Sequence, residues 1–372
     1  MVTFYLLFAI VYGLLILRLS KVWRPVSLLA YTQESNESVT IIVPFRNEEQ
    51  NLKLLFDSII KLSFRPFQVV FVNDDSQDQG QIILEGLIDQ NQDLDIQFEI
   101  LENYGKGKKD AVNTAIKRAN GKFILTTDAD CILPPHWIET MLNHLSKPIV
   151  RMTAGPVMTL GGKSFFDHFQ QIEWTSILLV TQAGFELGNP IMCSAANMAY
   201  EKTTFDEIKP YRDNSRHLSG DDEFLLKKMV STYGADAVVY IPHNLVWTKP
   251  QISWRDLFSQ RIRWISKWRF HKSFNHAFFT LIPMIIQLIF ISSFVLVFQG
   301  KTGIIVFLIL WITKCLVEGK VLSKVLHSFN IKHEALMYFL TSILHPVYVF
   351  SIGIGSLFGK FEWKGRSSSH LL

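Results

Sequence analysis

Residues 121–130, GKFILTTDAD, form an apolar, β-branched run that ends on two aspartates, Asp128 and Asp130. The run suits a buried strand, and the acidic pair falls where that strand would stop. A lone D-x-D is common and decides little. Here it belongs to an ordered series: TIIVPFRNEEQNL (40–52) and VVFVNDDSQD (69–78) precede it, and GDDEFLL (220–226) and QRIRW (260–264) follow.

Outward from this stretch the chain alternates regularly. VTIIVPF, FQVVFV, IQFEIL and GKFILTT are apolar runs of strand length, and NEEQNLKLLFDSIIKL and DAVNTAIKRAN between them carry helical patterns. Such alternation predicts an α/β domain with a parallel-type sheet covered on both faces. Ligands of these sheets sit beyond the carboxyl ends of the strands, where Arg46, Asp74 and Asp128 fall. The expected organisation is an N-terminal transmembrane helix (1–24), the α/β domain (38–250), an interfacial helix (251–274) and a C-terminal transmembrane region (275–372).

Composition supports the flanking membrane segments. Of 372 residues, 48% are hydrophobic and only 19% charged, a skew away from a wholly soluble chain. VTFYLLFAIVYGLLILRL (2–19) approaches the ~20 residues that cross a bilayer. Arg18 sits at its end, and Lys21 and Arg24 follow, which predicts a cytoplasmic α/β domain; a buried core helix is the alternative. Further apolar segments occupy 276–298, 302–319 (with Lys314 and Glu318) and 334–359 (interrupted by His345-Pro346). Three C-terminal crossings would put Lys360, Lys364 and Arg366 outside, against the positive-inside bias, so one segment is expected to be re-entrant or interfacial. The net charge of +4 is carried by dispersed Lys and Arg, which argues against a nucleic-acid groove. Cys131, Cys193 and Cys315 lack C-x-x-C spacing, against a disulfide framework or structural zinc.

The polar groups then suggest chemistry. Asp128 and Asp130 would face the same way on an extended backbone. Two such carboxylates can hold Mg²⁺ or Mn²⁺ and leave positions open for phosphate oxygens; a solvated strand-end turn is the plainer reading. Asp74, at its own strand end, can accept hydrogen bonds from a base or ribose. Pro44, Arg46 and Glu48 form the neighbouring strand-end loop and would face the same nucleotide. GKGKKD (105–110) sets glycines and lysines before a helix, a combination that favours anions, but it is not the P-loop pattern. Asp221, Asp222 and Glu223 open a helical pattern, either as dipole partners or as the source of a carboxylate general base. Gln260, Arg263 and Trp264 share one helical face. They would serve an acceptor's hydroxyls, phosphate or sugar ring, or the helix would simply lie on the bilayer.

Taken together, residues 39–268 resemble the family 2 glycosyltransferases of the GT-A fold, in the membrane-embedded branch that carries D-x-D and Q-x-x-R-W. The resemblance implies that Asp74 binds uracil, that Pro44, Arg46 and Glu48 line the nucleotide pocket, and that Lys108 is the family's lysine before the helix. It makes Asp128 and Asp130 the D-x-D pair, Asp222 the catalytic carboxylate with Asp221 beside it, and Gln260, Arg263 and Trp264 the terminal motif. Asn197, in SAANMAYEK, falls near the acceptor. The implied activity is inverting transfer from a UDP-sugar to a membrane lipid or glycan hydroxyl, with Mg²⁺ or Mn²⁺, at the cytoplasmic face of the plasma membrane. A processive polysaccharide synthase, of the poly-N-acetylglucosamine or hyaluronan type, is the alternative. The chain departs from the family at Asp75, where a glycine is usual, and at Asp221, where a glutamate is usual. A metal-dependent nucleotidyl or phosphate hydrolase would also use paired aspartates, but it leaves Q-x-x-R-W unexplained.

Overall fold

The computed structural model describes residues 1–23, 37–212, 220–266, 274–358, 361–363 and 366–368. Helix α1 (Val2–Val22) is followed by β1 (Val39–Phe45), α2 (Leu52–Ile59), β2 (Phe67–Asn73), α3 (Gly80–Asp89), β3 (Ile96–Glu102), α4 (Lys108–Arg118) and β4 (Phe123–Thr126). Next come β5 (Cys131–Ile132), α5 (Trp137–Leu145), β6 (Met152–Ala154), β7 (Val157–Thr159), α6 (Phe165–Glu186), β8 (Met198–Glu201), α7 (Lys202–Ile208), α8 (Asp221–Tyr233), β9 (Val238–Tyr240) and β10 (Val246–Thr248). The remainder is α9 (Trp254–Ser266), α10 (Phe274–Ser292), α11 (Gly300–Ser328), α12 (Ala335–Phe358) and two short strands, β11 (Phe361–Trp363) and β12 (Arg366–Ser368).

The chain divides into two compact units. One, the α/β unit, comprises Pro25–Leu160 and Thr181–Lys249; the other, the helical unit, comprises Met1–Arg24, Gly161–Val180 and Pro250–Leu372.

In the α/β unit a seven-stranded sheet runs in the order β3-β2-β1-β4-β8-β6-β9. The first four strands are parallel, as the continuous apolar runs predict. Every residue of β2 is buried, and removing a side chain such as Phe71 would cost about 3–5 kcal/mol through lost burial and the cavity left. Beyond β4 the sheet becomes mixed, because β8 runs antiparallel to both β4 and β6. A second sheet, β5-β10-β7, is built from two- and three-residue strands. These are too short for a periodic signal to reveal. The order β3-β2-β1-β4 reverses direction at β1, so the carboxyl ends of β1, β2 and β4 lie together, where such sheets take ligands.

In the helical unit, three described helical stretches are long and apolar enough to cross a membrane: Val2–Val22, Leu281–Phe298 and Ala335–Leu357. The segment expected at 302–319 lies inside α11 and is not among them. Its Lys314, fully buried, pairs with Glu318, which also accepts a hydrogen bond from the Tyr12 hydroxyl of α1. Helices α1 and α11 run side by side in the same direction, joined at Tyr12–Glu318, Ser20–Lys324 and Trp23–Ser328. Helix α12 packs on α6 and α9 through Phe169, Leu257, Tyr348 and Ile352. Arg24, Trp268, Phe270, Lys360 and Lys364 lie outside the described residues.

Candidate active site

The loops after β1 and β2 are laced together. Gln77 N–H donates to Asn47 Oδ1 at 2.8 Å, and Glu49 N–H donates to Asp78 Oδ2 at 2.8 Å. Asp75, where the family glycine is expected, has φ +62°, a left-handed conformation that aspartate tolerates better than most residues. Arg46 braces it by donating to the Asp74 carbonyl at 2.6 Å, to the Asp75 carbonyl, and to Asp75 Oδ2 at 3.0 Å. Glu48, buried, accepts from Asn51 Nδ2 at 2.5 Å, and Pro44 is the half-buried penultimate residue of β1.

Asp74 is buried at the end of β2. Its Oδ1 accepts from Asn103 Nδ2 at 2.7 Å and from the Gly107 N–H at 3.0 Å. Gly107 has φ +87°, a conformation that side chains resist. Asp74 therefore holds the basic loop just where α4 begins, and Lys108 opens the helix.

Lys108 is the centre of the site. Its Nζ lies 2.5 Å from Asp128 Oδ1 and 3.1 Å from Asp221 Oδ2. Burial pulls its pKa down, but Asp128, Asp221 and the nearby Asp222 outweigh this and hold the ammonium charged, above the ordinary lysine range. The strand-end D-x-D and the acidic start of α8 thus meet on one cation. Asp221 is buried and Asp222 half-buried, with Asp222 Oδ1 accepting the Glu223 N–H at 2.8 Å.

Asp128 and Asp130 do not lie on an extended backbone. Strand β4 stops at Thr126, and the Cys131 N–H donates to the Asp128 carbonyl at 3.1 Å, which closes a turn. Asp128 is engaged by Lys108, while Asp130 Oδ2 accepts from the Thr248 hydroxyl of β10 at 3.1 Å. Both remain half-buried. This donor set fits a hard cation that takes one or two carboxylates and completes its shell with phosphate oxygens and water. Among the described residues no group of three or more His, Cys, Asp or Glu is arranged to cage an ion.

One expectation is corrected. Asn197 is fully buried, with Oδ1 accepting from Trp137 Nε1 at 2.8 Å and Nδ2 donating to the Pro156 and Asn244 carbonyls at 2.9 and 2.6 Å. It ties α5, β8 and two loops together and has no surface with which to touch an acceptor.

The Q-x-x-R-W residues lie on α9 in the helical unit, all three half-buried. Within the motif itself the buried residue is Arg261, between motif positions. It grips Glu173 of α6 through two bonds (3.2 and 2.6 Å), donates to Gln260 Oε1 at 2.5 Å, and lies over Trp174 and Trp264 at 4.7 and 4.3 Å from the ring centroids. Reading the sequence missed Arg261, Glu173, Asn103 and Thr248. Only the position of Asn103 after an apolar strand could have signalled its role.

Comparison with known proteins is consistent with this geometry. Residues 40–209 match the profile described as "Glycosyl transferase family 2". A poly-beta-1,6-N-acetyl-D-glucosamine synthase from Staphylococcus epidermidis is 23% identical over 230 residues, covering 61% of this chain and 54% of the relative. A UDP-Glc:alpha-D-GlcNAc-diphosphoundecaprenol beta-1,3-glucosyltransferase from Escherichia coli is 28% identical over 145 residues, covering 38% of this chain and 54% of that one. The chain thus spans about half the length of these relatives. A mannosyltransferase from Pyrobaculum calidifontis, solved with GDP-Man and Mn²⁺, superposes with a TM-score of 0.54 over 95% of this chain and 96% of that one, at 16% identity. The fold is that of the GT-A glycosyltransferases. Residues 40–209 of the chain are thus similar to glycosyl transferase family 2, in a fold of that kind.

Proposed function

We propose that this protein is a membrane-bound, inverting glycosyltransferase that moves a sugar from a UDP-sugar to a hydroxyl acceptor, a lipid in the first reading. The observation that carries it is the convergence of Asp128 and Asp221 on Lys108 at the carboxyl ends of a parallel sheet. Asp222 removes the acceptor's hydroxyl proton. The freed oxygen attacks the anomeric carbon, the bond from that carbon to the diphosphate oxygen breaks, and UDP departs. Asp128 and Asp130 would hold Mg²⁺ or Mn²⁺, which when bound offsets charge on the departing diphosphate. Lys108 adds a fixed positive charge beside them, and Asp74, with the Pro44–Arg46–Glu48 loop, receives the nucleoside. Gln260, Arg263 and Trp264 of the 251–274 segment serve the diphosphate and acceptor.

The catalytic domain faces the cytoplasm of the plasma membrane in this reading, since Arg18 and Lys21 lie at the C-terminal end of the first membrane-length helix. A reporter near Leu160 should resist external labelling of intact cells; labelling without permeabilisation would overturn the orientation. The acceptor is tested by incubating purified enzyme with lipid extract, Mn²⁺ or Mg²⁺ and a panel of labelled UDP-sugars. Organic-extractable label supports a glycolipid carrying one or few sugars. High-molecular-weight label that only a glycosidase shortens would favour a polysaccharide synthase, a second reading supported by the staphylococcal relative. Absence of transfer from any UDP-sugar would sink both.

A further inference from the structure

At the end of α1 from which the chain continues to β1, α1 and α11 border a cavity of 380 Å³. Lys320, Lys324 and His327 of α11 line it, with Ser20 and the apolar Leu17 and Val321. The three basic residues recur at i, i+4 and i+7, on one face of the helix, and all are exposed. Lys324 Nζ donates to the Ser20 carbonyl at 2.7 Å, which draws that ammonium against α1. No described carboxylate lines the cavity. The Ser20 and Ser323 hydroxyls donate to the Leu17 and Lys320 carbonyls, so hydrogen-bond donors for a guest must come from the lysines and histidine.

The location is equally specific. Helix α1 has membrane length, and Ser20 lies in its last turn. Just beyond, Trp23 is buried, its Nε1 donating to Ser328 Oγ at 3.0 Å and its ring edge-on to Phe329. Tryptophan in this position is typical of a bilayer interface. Arg18 and Lys21 add charge on the same turns of α1. Cations near a helix C-terminus commonly answer its dipole, but that effect fades within the last turn. Lys320 stands two turns before the end of α11 at Ser328, so the dipole does not account for it. An apolar wall beside a cationic one, at headgroup depth and of small-ligand size, matches one chemistry. We propose that this cavity binds the phosphate group of an anionic membrane lipid. The site is independent of the sugar transfer proposed above.

The test uses the full chain in phosphatidylcholine nanodiscs containing phosphatidylglycerol, with lipid retention read by native mass spectrometry. Wild-type protein should retain phosphatidylglycerol preferentially. Lys320→Gln should lower that preference about fivefold, from the ~1 kcal/mol that one lysine contributes near an anionic surface, and Lys320→Arg should restore it. Matching melting temperatures of wild type and Lys320→Gln in pure phosphatidylcholine would assign the loss to binding and not to folding. Equal phosphatidylglycerol retention by wild type and Lys320→Gln would overturn the proposal. Displacement of the lipid by millimolar inorganic phosphate would also overturn it, in favour of a free-anion site; lipid that resists phosphate supports it.

Discussion

Both units bury charge, but they do it differently. In the α/β unit one lysine, Lys108, meets Asp128 and Asp221 with Asp222 nearby, so negative charge exceeds positive. Asp128 keeps 39% of its side chain exposed. In the helical unit Arg261 meets Glu173 and Lys314 meets Glu318, one to one, and Glu173 is only 7% exposed. An unbalanced, half-open cluster at a sheet's carboxyl edge has capacity for another cation and a phosphate-bearing ligand. A balanced, closed pair has none to spare, and it positions the helices and side chains around it. Charge balance and exposure, more than the mere presence of charged residues, separate the candidate site from the framework.

The largest effect should come from Asp222→Asn. Loss of a general base is expected to lower transfer by about 10²–10⁴-fold, while UDP binding, followed by calorimetry, stays close to wild type. Turnover near wild type would reduce the acidic start of α8 to helix electrostatics and erase the contrast. Next, Glu173→Gln should destabilise the protein by about 3–5 kcal/mol, because it leaves Arg261 buried and unpaired. Replacing both partners with apolar residues of similar volume should cost much less by thermal unfolding. If the single and double changes cost the same, the pair is not a structural clamp.

Asp130→Ala should weaken metal-dependent UDP-sugar binding by roughly 10- to 100-fold, the scale seen when a metal's surroundings are disturbed. Metal titrations that match wild type would count against the D-x-D assignment. A smaller effect is expected in the helical unit at His333, whose Nδ1 lies 2.8 Å from His168 Nδ1. Burial, then His168, pushes its pKa down to about 4. The unfolded chain, with a value near 6.5, therefore binds the proton more readily. The stability contribution is complete above pH ~6.5 and is lost as pH falls toward 4, and His333→Gln should flatten that slope in unfolding measured across the interval. Smallest of all, Asp75→Gly should change stability by less than about 1 kcal/mol. It relieves the positive φ but gives up an ion pair whose carboxylate is 69% exposed.

The sequence by itself determined whatever depends on local period. Strand β1 coincides with VTIIVPF, and β2, β3 and β4 lie within a few residues of the runs expected. Alternation of apolar runs with helical patterns sufficed for the α/β class, and the length of apolar runs for the membrane-length helices. Carboxylates at strand ends were visible for the same reason, since Asp74 and Asp128 interrupt apolar runs. Tertiary structure alone decided which of these groups meet. Lys108, Asp128 and Asp221 come from separate elements, and no local repeat encodes their distances. Asn197 reads as an ordinary polar residue until packing buries it against Trp137. Arg261 and Arg263 are the same residue type two positions apart on one helix, yet Arg261 is the one that is fully buried, gripping Glu173. A helix turns about 100° per residue, so two positions apart means different faces, and only the neighbours packed on each face decide which arginine loses its water.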